Sequence, residues 1–153
     1  MPPTPTIPPP VMTADELQSF LAEVWTAAVS PTYRVREVTA SGAVLALPVA
    51  AEHERPGGTV SGPTMMGLAD AAAWLATLSR VGPVALAVTS NLTIHFLAKP
   101  PLGGELLADA SLLRLGPRSS VSDVRVTSAT GDGAGEATLV AAATVAYSIP
   151  AQA

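Results

Sequence analysis

One apolar segment that carries a single charge is the feature that most constrains the fold of this chain. Residues 64–79 contain no proline and are rich in alanine and leucine, which favour helix. Apolar residues lie nearly all round this helix, as is typical of a buried helix. Asp70 is the segment's one charged residue. Burying a carboxylate costs free energy unless it has a partner or a function. Asp70 therefore lies on a solvent-exposed face of the helix, pairs with an arginine, or serves a function.

The helix is predicted to begin at residues 61–63. Ser61 or Gly62 can cap it, and Pro63 fits the first turn, where its missing N–H costs nothing. A polar, glycine-bearing loop, residues 51–60, leads into it. Free N–H groups at a helix start favour negative charge, and a glycine lets a ligand approach the backbone closely. The loop and the helix start therefore form a candidate site for an anion or a carbonyl oxygen.

Composition excludes several classes of function. The net charge is −4 with no basic stripe, which argues against nucleic-acid binding. The absence of cysteine excludes disulfides, a thiol nucleophile and thiolate metal sites, and two histidines make a histidine-rich metal centre a poor hypothesis. No apolar run approaches the roughly 20 residues that span a bilayer, and the N-terminus is unlike a secretory signal. We expect a cytoplasmic protein with no membrane partner.

The rest of the chain is predicted to be a proline-rich disordered tail, residues 1–11, and one domain, residues 12–150. Thr13 and Glu16 form a capping box that begins a short first helix. Strands are predicted at residues 33–38, 43–49, 84–97, 105–115, 119–128 and 137–149, with a tight turn at 131–133. This order favours an α+β fold in which a curved antiparallel meander wraps round one long central helix.

The loop and helix resemble those of the hot-dog-fold acyl-CoA thioesterases of the phenylacetate-pathway, or PaaI-like, type. The family pattern H-x-N-x-x-G-x-x-H-G-G-x-x-x-x-L-x-D is matched at His53, Gly58, Gly62, Leu68 and Asp70. Residues 88–100, 115–118 and 142–147 resemble the strands that follow in that family. The resemblance covers about residues 35–149 and implies a hot-dog fold.

The resemblance also implies roles for the helix residues. The acid at Asp70 is the general base or the nucleophile, and the backbone N–H of Gly62 polarises the thioester carbonyl. Ser61 replaces the second histidine of the pattern and is either a hydrogen-bond donor at the site or only the helix cap. Arg55 replaces the asparagine that helps to place the water, and Trp74 replaces a hydroxyl residue one turn after the acid. No cofactor or metal is implied, because coenzyme A is part of the substrate.

Asp70 and Gly62 are too far apart to act on one carbonyl within one chain. Eight residues of helix span about 12 Å. Two such helices lying antiparallel across a twofold axis would bring Gly62 of one chain near Asp70 of the other. We therefore expect a homodimer with two sites at its interface, as the resemblance also implies, and a dimer of dimers (a homotetramer) is a further possibility.

Further residues are candidate substrate contacts, and each has a structural alternative. Loop residues can be merely solvated, residues of the first helical turn can serve packing, Trp74 can belong to the core or to the wall of the acyl pocket, and polar strand or turn residues can face water. The candidates are His53, Arg55, Pro63, Thr64, Met66, Trp74, Asn91, Arg118 and Ser119.

We expect an acyl-CoA thioesterase that hydrolyses a small or medium acyl-CoA or an aryl-CoA. The alternative is a non-catalytic acyl-CoA-binding or regulatory hot-dog protein, because the asparagine and the second histidine of the pattern are absent. A hot-dog hydratase is a weaker alternative, since Leu75 stands where the D-x-x-x-x-H motif of that family needs a histidine.

Overall fold

A six-stranded antiparallel sheet wraps round one twenty-residue helix in the computed structural model, which describes residues 1–25, 33–129 and 137–152. This is the predicted hot-dog arrangement. The elements in chain order are α1 (Ala14–Val24), β1 (Arg34–Val38), β2 (Gly42–Pro48), β3 (Glu54–Arg55), β4 (Thr59–Val60), α2 (Gly62–Val81), β5 (Val88–Phe96), β6 (Glu105–Leu115), β7 (Ser119–Ala129) and β8 (Thr138–Ser148).

The strand order corrects the predicted meander. The sheet runs β1-β2-β6-β7-β8-β5, so only β6, β7 and β8 form a meander. The chain leaves α2 and places β5 at the far edge of the sheet, beside β8, while β2 pairs with β6. Local alternation of polar and apolar residues identifies each strand, but it carries no information about which strands pair.

The start of β5 also differs from the prediction. Residues 84–87 belong to a turn, in which Val84 N–H donates to the carbonyl of Gly82 and Ala87 N–H to that of Val84. Gly82 has φ of 93°, a conformation that favours glycine, and it ends α2. The apolar run after it therefore does not reach the sheet until Val88.

Both helices begin as predicted. Thr13 and Glu16 complete the capping box of α1, and Ser61 caps α2 with Pro63 in the first turn. The segment 51–60, predicted as a loop, contains one 3-10 turn, Ala51–His53, and the two-residue strands β3 and β4. The predicted turn at 131–133 lies outside the described residues.

The N-terminal segment contacts the end of the central helix. Residues 1–10 contain neither helix nor strand, and Ile7 packs partly against the core. The backbone N–H groups of Val11 and Met12 donate to the carbonyl of Ser79, so this segment contacts the domain both at Ile7 and next to α1. Disorder of residues 1–11 in solution stays a prediction.

The core lies between α2 and the concave face of the sheet. Leucines of α2 that are fully buried pack on leucine and valine side chains of β2, β6, β7 and β8. The long side chains among them are Leu45, Leu68, Leu75, Leu78, Leu106, Val124, Val126 and Val145. Packing on the sheet fixes the position of α2, and of Asp70 with it.

None of the helices described is both long and apolar enough to cross a bilayer.

Candidate active site

Asp70 lies in the wall of a cleft of about 320 Å³ between α2 and the β5–β8 edge of the sheet. Asp70 is partly buried, while residues 71–80, which follow it on α2, are buried. The cleft is lined by Trp25, Asp70, Trp74, Ala85, Ala87, Val88, Thr89 and Tyr147. The solitary charge of the helix therefore lies at a concave, largely apolar surface, where a ligand can reach it.

Two hydroxyl groups bind one oxygen of the Asp70 carboxylate. Thr89 Oγ1 donates to Asp70 Oδ1 at 2.6 Å, and the hydroxyl of Tyr147 lies 2.8 Å from the same atom. The Tyr147 hydroxyl also lies 3.0 Å from the main-chain carbonyl oxygen of Asp70. Within the described residues no hydrogen bond reaches Oδ2, and no arginine pairs with Asp70. One carboxylate oxygen is thus fixed by hydrogen bonds, and the other is free to interact with a ligand or water.

The two tyrosines near Asp70 are neutral phenols. Burial raises the pKa of Tyr147 far above its ordinary value; a hydrogen bond with Thr89 opposes this rise, and the charge of Asp70 and its hydrogen bond add to it. Burial, followed by the charge of Asp70, also raises the pKa of Tyr33. A neutral Tyr147 carries the hydrogen that its contact with Asp70 requires.

The start of α2 is capped by side chains and leaves the N–H of Gly62 without a described acceptor. Ser61 Oγ accepts from Thr64 N at 3.3 Å and lies 2.7 Å from Thr64 Oγ1, so both side chains serve the helix cap. The N–H of Gly62 donates to no described residue. A Cβ added at Gly62 would lie 3.3 Å from the Phe96 ring, so this turn lies against the end of β5.

Gly62 and Asp70 lie eight residues apart on α2, as the sequence requires. That separation is about 12 Å along the helix axis. Within one protomer, the turn at Gly62 therefore lies beside Phe96 and the carboxylate lies beside Thr89, near opposite ends of β5.

The loop candidates lie near the start of α2 rather than at the cleft. His53 Nδ1 accepts from the N–H of Ala50 at 2.9 Å, and the His53 carbonyl accepts from the N–H of Ser61. Arg55 and Pro63 are exposed there, and Met66 is exposed on the second turn of the helix. The structure therefore groups these residues with Gly62.

The other candidates are spread over the sheet and core. Trp74 is buried, lines the cleft and stacks on Trp25 with ring centroids 5.6 Å apart. Asn91 pairs with Ala146 and is exposed, and it does not line the cleft of its own protomer. Arg118 Nε donates to a main-chain carbonyl, and Ser119 begins β7 at the same sheet end as Val88.

Thr89 and Tyr147 were not identified from the sequence as site residues. They come 19 and 77 residues after Asp70, and they meet it because β5 pairs with β8. The sequence does contain one hint, since Tyr147 is one of only two tyrosines and interrupts a strand of alanine, valine and threonine.

A larger cavity, about 560 Å³, lies elsewhere, between the segment before α1 and strand β1. Its charged groups are mostly engaged, because Glu16 completes the α1 capping box and Arg36 pairs with Glu105. Its carboxylates, Glu16 and Glu37, are exposed to solvent, whereas Asp70 is partly buried in a largely apolar cleft. Chemistry rather than volume therefore identifies the smaller cleft as the candidate active site.

Comparison with known proteins agrees with this fold. The sequence profile of the thioesterase superfamily matches residues 57–134, a segment that includes Gly62 and Asp70. A comparison with curated proteins finds no match. A proposed thioesterase from a Silicibacter species is 35% identical, with a TM-score of 0.79 over 95% of this chain and 96% of that chain.

Two further solved structures are similar. A mutant of the phenylacetic acid degradation protein PaaI from Thermus thermophilus is 28% identical, with a TM-score of 0.66 over 80% of this chain and 96% of that one. A hypothetical thioesterase with coenzyme A, from Streptococcus pneumoniae, is 19% identical, with a TM-score of 0.70 over 89% and 98% of the two chains. This last likeness concerns the fold alone.

The profile match covers more than half of the chain, and the Silicibacter protein is similar over nearly all of it. The chain therefore belongs to the thioesterase superfamily and is a thioester hydrolase.

Proposed function

We propose that this protein is an acyl-CoA thioesterase of the PaaI-like type, which hydrolyses a small or medium acyl-CoA or an aryl-CoA. The similarity to the PaaI protein from T. thermophilus, a phenylacetic acid degradation protein, supports the substrate class. The cleft is consistent with such an acyl group, because Trp74 and Trp25 give it an aromatic wall close to the carboxylate.

The proposal rests on one observation, that only one oxygen of the Asp70 carboxylate is hydrogen-bonded to the described residues. Oδ1 accepts two hydrogen bonds, whereas Oδ2 accepts none from the described residues and belongs to a side chain that lines the cleft. A carboxylate in this state can take a proton from water while the water oxygen adds to the thioester carbonyl carbon. The carbon–sulfur bond then breaks, and the proton passes to the departing sulfur, which yields a carboxylic acid and free coenzyme A.

A second route has the same overall balance. The Asp70 carboxylate itself adds to the carbonyl carbon and expels the thiolate, which leaves a mixed anhydride that water hydrolyses. In both routes negative charge develops on the carbonyl oxygen, and the free N–H of Gly62 at a helix start is suited to stabilise it.

The proposal requires two protomers. Gly62 lies beside one end of β5 and Asp70 beside the other, and the outer edge of β5 pairs with no described strand. If two copies of β5 paired antiparallel about a twofold axis near Leu92, Phe96 of one copy would lie opposite Val88 of the other. That pairing would bring Gly62 towards Asp70 of the partner subunit, and it would form two equivalent sites.

The test is the Asp70→Asn variant, assayed by release of free thiol from a panel of short, medium and aryl-CoA thioesters. We expect kcat to fall by at least about a hundredfold, because the amide is neither a base nor a nucleophile. Asp123→Asn is the matched control, since Asp123 lies on β7 and makes only a long ion pair, 3.5 Å, with Arg125. Full turnover by Asp70→Asn would remove Asp70 from catalysis.

A further inference from the structure

One phenol hydroxyl contacts both the side chain and the main chain of the proposed catalytic residue. The Tyr147 hydroxyl lies 2.8 Å from Asp70 Oδ1 and 3.0 Å from the Asp70 carbonyl oxygen. The Tyr147 side chain is 5% exposed, so its ring is fixed in the wall of the cleft. A single group thus fixes the carboxylate relative to the backbone of α2.

The second donor to the carboxylate comes from the residue opposite Tyr147 in the sheet. Thr89 on β5 and Tyr147 on β8 are direct partners in the antiparallel ladder, and both hydroxyls reach Asp70 Oδ1. Because the two donors come from one cross-strand pair, their separation is set by the sheet rather than by a loop. This pair of hydroxyls leaves Oδ2 as the oxygen that is free to act.

The Tyr147 hydroxyl has no hydrogen-bond acceptor outside Asp70 among the described residues. It could donate elsewhere only by leaving Asp70, because its polar contacts in the described residues are Asp70 and Thr89. Burying a phenol without a partner is costly, so the hydroxyl and the carboxylate fix each other. An aspartate side chain held in this way is restricted to one rotamer.

We propose that Tyr147 is a positioning residue for thioester hydrolysis, which holds Asp70 by Oδ1 so that Oδ2 alone faces the reacting atoms. This inference rests on the proposed catalytic role of Asp70 and extends it by naming the oxygen that acts. Tyr147 acts through Asp70 and is not expected to contact the substrate's carbonyl.

The test is Tyr147→Phe, which keeps the ring in the cleft wall and removes only the hydroxyl. We expect kcat to fall about ten- to a hundredfold, because a displacement of about 1 Å at the reacting group has an effect of this size. KM should stay within about twofold of the wild-type value, since no interaction with the bound substrate is removed.

Ser120→Ala is the matched control for loss of a buried hydroxyl. Ser120 is the β7 neighbour of Tyr147 in the sheet, and its Oγ lies 2.7 Å from Thr77 Oγ1. Thr77 Oγ1 also donates to the carbonyl of Ala73, so it keeps a partner in the variant. We expect the two variants to have similar melting temperatures, and only Tyr147→Phe to lose kcat.

The outcomes separate this inference from the proposed function. Unchanged kcat in Tyr147→Phe would overturn the inference, and so would a rise in KM at unchanged kcat, which would make Tyr147 a substrate contact. If Asp70→Asn is inactive while Tyr147→Phe is fully active, only the positioning role fails. If Asp70→Asn keeps wild-type turnover, the proposed function itself fails. In the Asp70→Asn background, Tyr147→Phe should lower the residual rate by less than about twofold, because its effect passes through the carboxylate.

Discussion

Asp70 is stabilised in an apolar helix by hydroxyl groups rather than by a cation. The sequence allowed a wet helix face, an arginine partner or a functional role, and the described residues place no arginine against the carboxylate. The hydroxyls of Thr89 and Tyr147 hydrogen-bond to it without neutralising its charge. An arginine would have occupied both oxygens in a bidentate pair. The hydroxyl arrangement therefore leaves Asp70 partly buried with Oδ2 free of hydrogen bonds from the described residues.

The partly buried Tyr33 and the buried Tyr147 predict a loss of stability at alkaline pH. Tyr33 and Tyr147 are the only tyrosines in the chain, and burial raises the pKa of both above the ordinary value of 10. The folded protein therefore keeps its phenol protons at a pH where the unfolded chain loses them. The stability that these groups contribute is fully present below about pH 10 and is lost as the pH rises above it.

The measurement is phenolate absorbance followed alongside circular dichroism during an alkaline titration. We expect the phenolate signal of the native protein to appear only with the loss of helix, and above the pH at which the denatured protein titrates. Phenolate absorbance near the ordinary pKa of tyrosine, with intact helix, would contradict the burial of these hydroxyls.

At the residue scale, the sequence pointed to those candidate residues whose signal is local. Asp70 stands out as one charge in an apolar helix, and Ser61 as a cap before Pro63. Thr89 and Tyr147 have no such signal, because their contact with Asp70 arises from strand pairing between distant segments. A polar residue in a strand indicates that its side chain needs a hydrogen-bond partner, but not which residue that partner is.

At the element scale, the end of α2 is fixed by a buried arginine. Arg80 is 5% exposed, and its Nη atoms donate to the Thr39 carbonyl at 2.6 Å and to Ser79 Oγ at 2.7 Å. No carboxylate of the described residues pairs with it, and burial lowers its pKa. The helix C-terminus favours a cation at this place, and the side chain joins α2 to the turn between β1 and β2.

Replacing this arginine should destabilise the fold. Arg80→Met keeps most of the apolar stem but leaves the partly buried Thr39 carbonyl and the buried Ser79 hydroxyl without this donor, so we expect a loss of about 2 kcal/mol in the free energy of unfolding. Denaturant unfolding measures it. Arg114→Met is the control, because Arg114 is exposed on β6 and should change stability by less than about 0.5 kcal/mol. Equal effects of the two changes would contradict a structural role for Arg80.

Element boundaries were predicted better than element pairing. The predicted span of β6 agrees with the structure, and α1, α2 and the other long strands were located to within a few residues, except at the start of β5. The position of β5 beside β8 was missed, because a strand that follows a helix carries no local mark of its neighbours. That pairing determines the site, since it brings Thr89 and Tyr147 together.

At the scale of the whole molecule, the exposed apolar residues lie mainly at one edge of the fold. Met66, Leu86, Val88, Phe96 and Leu97 are each at least 41% exposed, and all lie on β5, beside it or on the adjoining turns of α2. An unpaired strand edge with apolar flanks is a template for pairing with another chain. Their distribution supports the proposed homodimer.

We expect Phe96→Asp both to dissociate the dimer into monomers and to abolish thioesterase activity. Phe96 is 48% exposed at the end of β5, where its ring lies against the Gly62 turn. A carboxylate there would be buried without a partner in a dimer but solvated in a monomer, so it favours dissociation. Sedimentation velocity should show a wild-type dimer or larger assembly and a folded monomeric variant. Thiol release should fall with the dimer fraction, because in the proposed dimer each site uses Gly62 of the other subunit.

Leu113→Asp distinguishes a loss of this interface from the general effect of a new surface charge. Leu113 is 53% exposed on β6, three strands away from β5 in the sheet, so its variant should remain at least dimeric. A monomeric wild-type protein with full thioesterase activity would contradict a shared site, and so would a fully active Phe96→Asp monomer. Either result would require one chain to reach a carbonyl from both Gly62 and Asp70, which the rise of about 12 Å along the helix between them opposes.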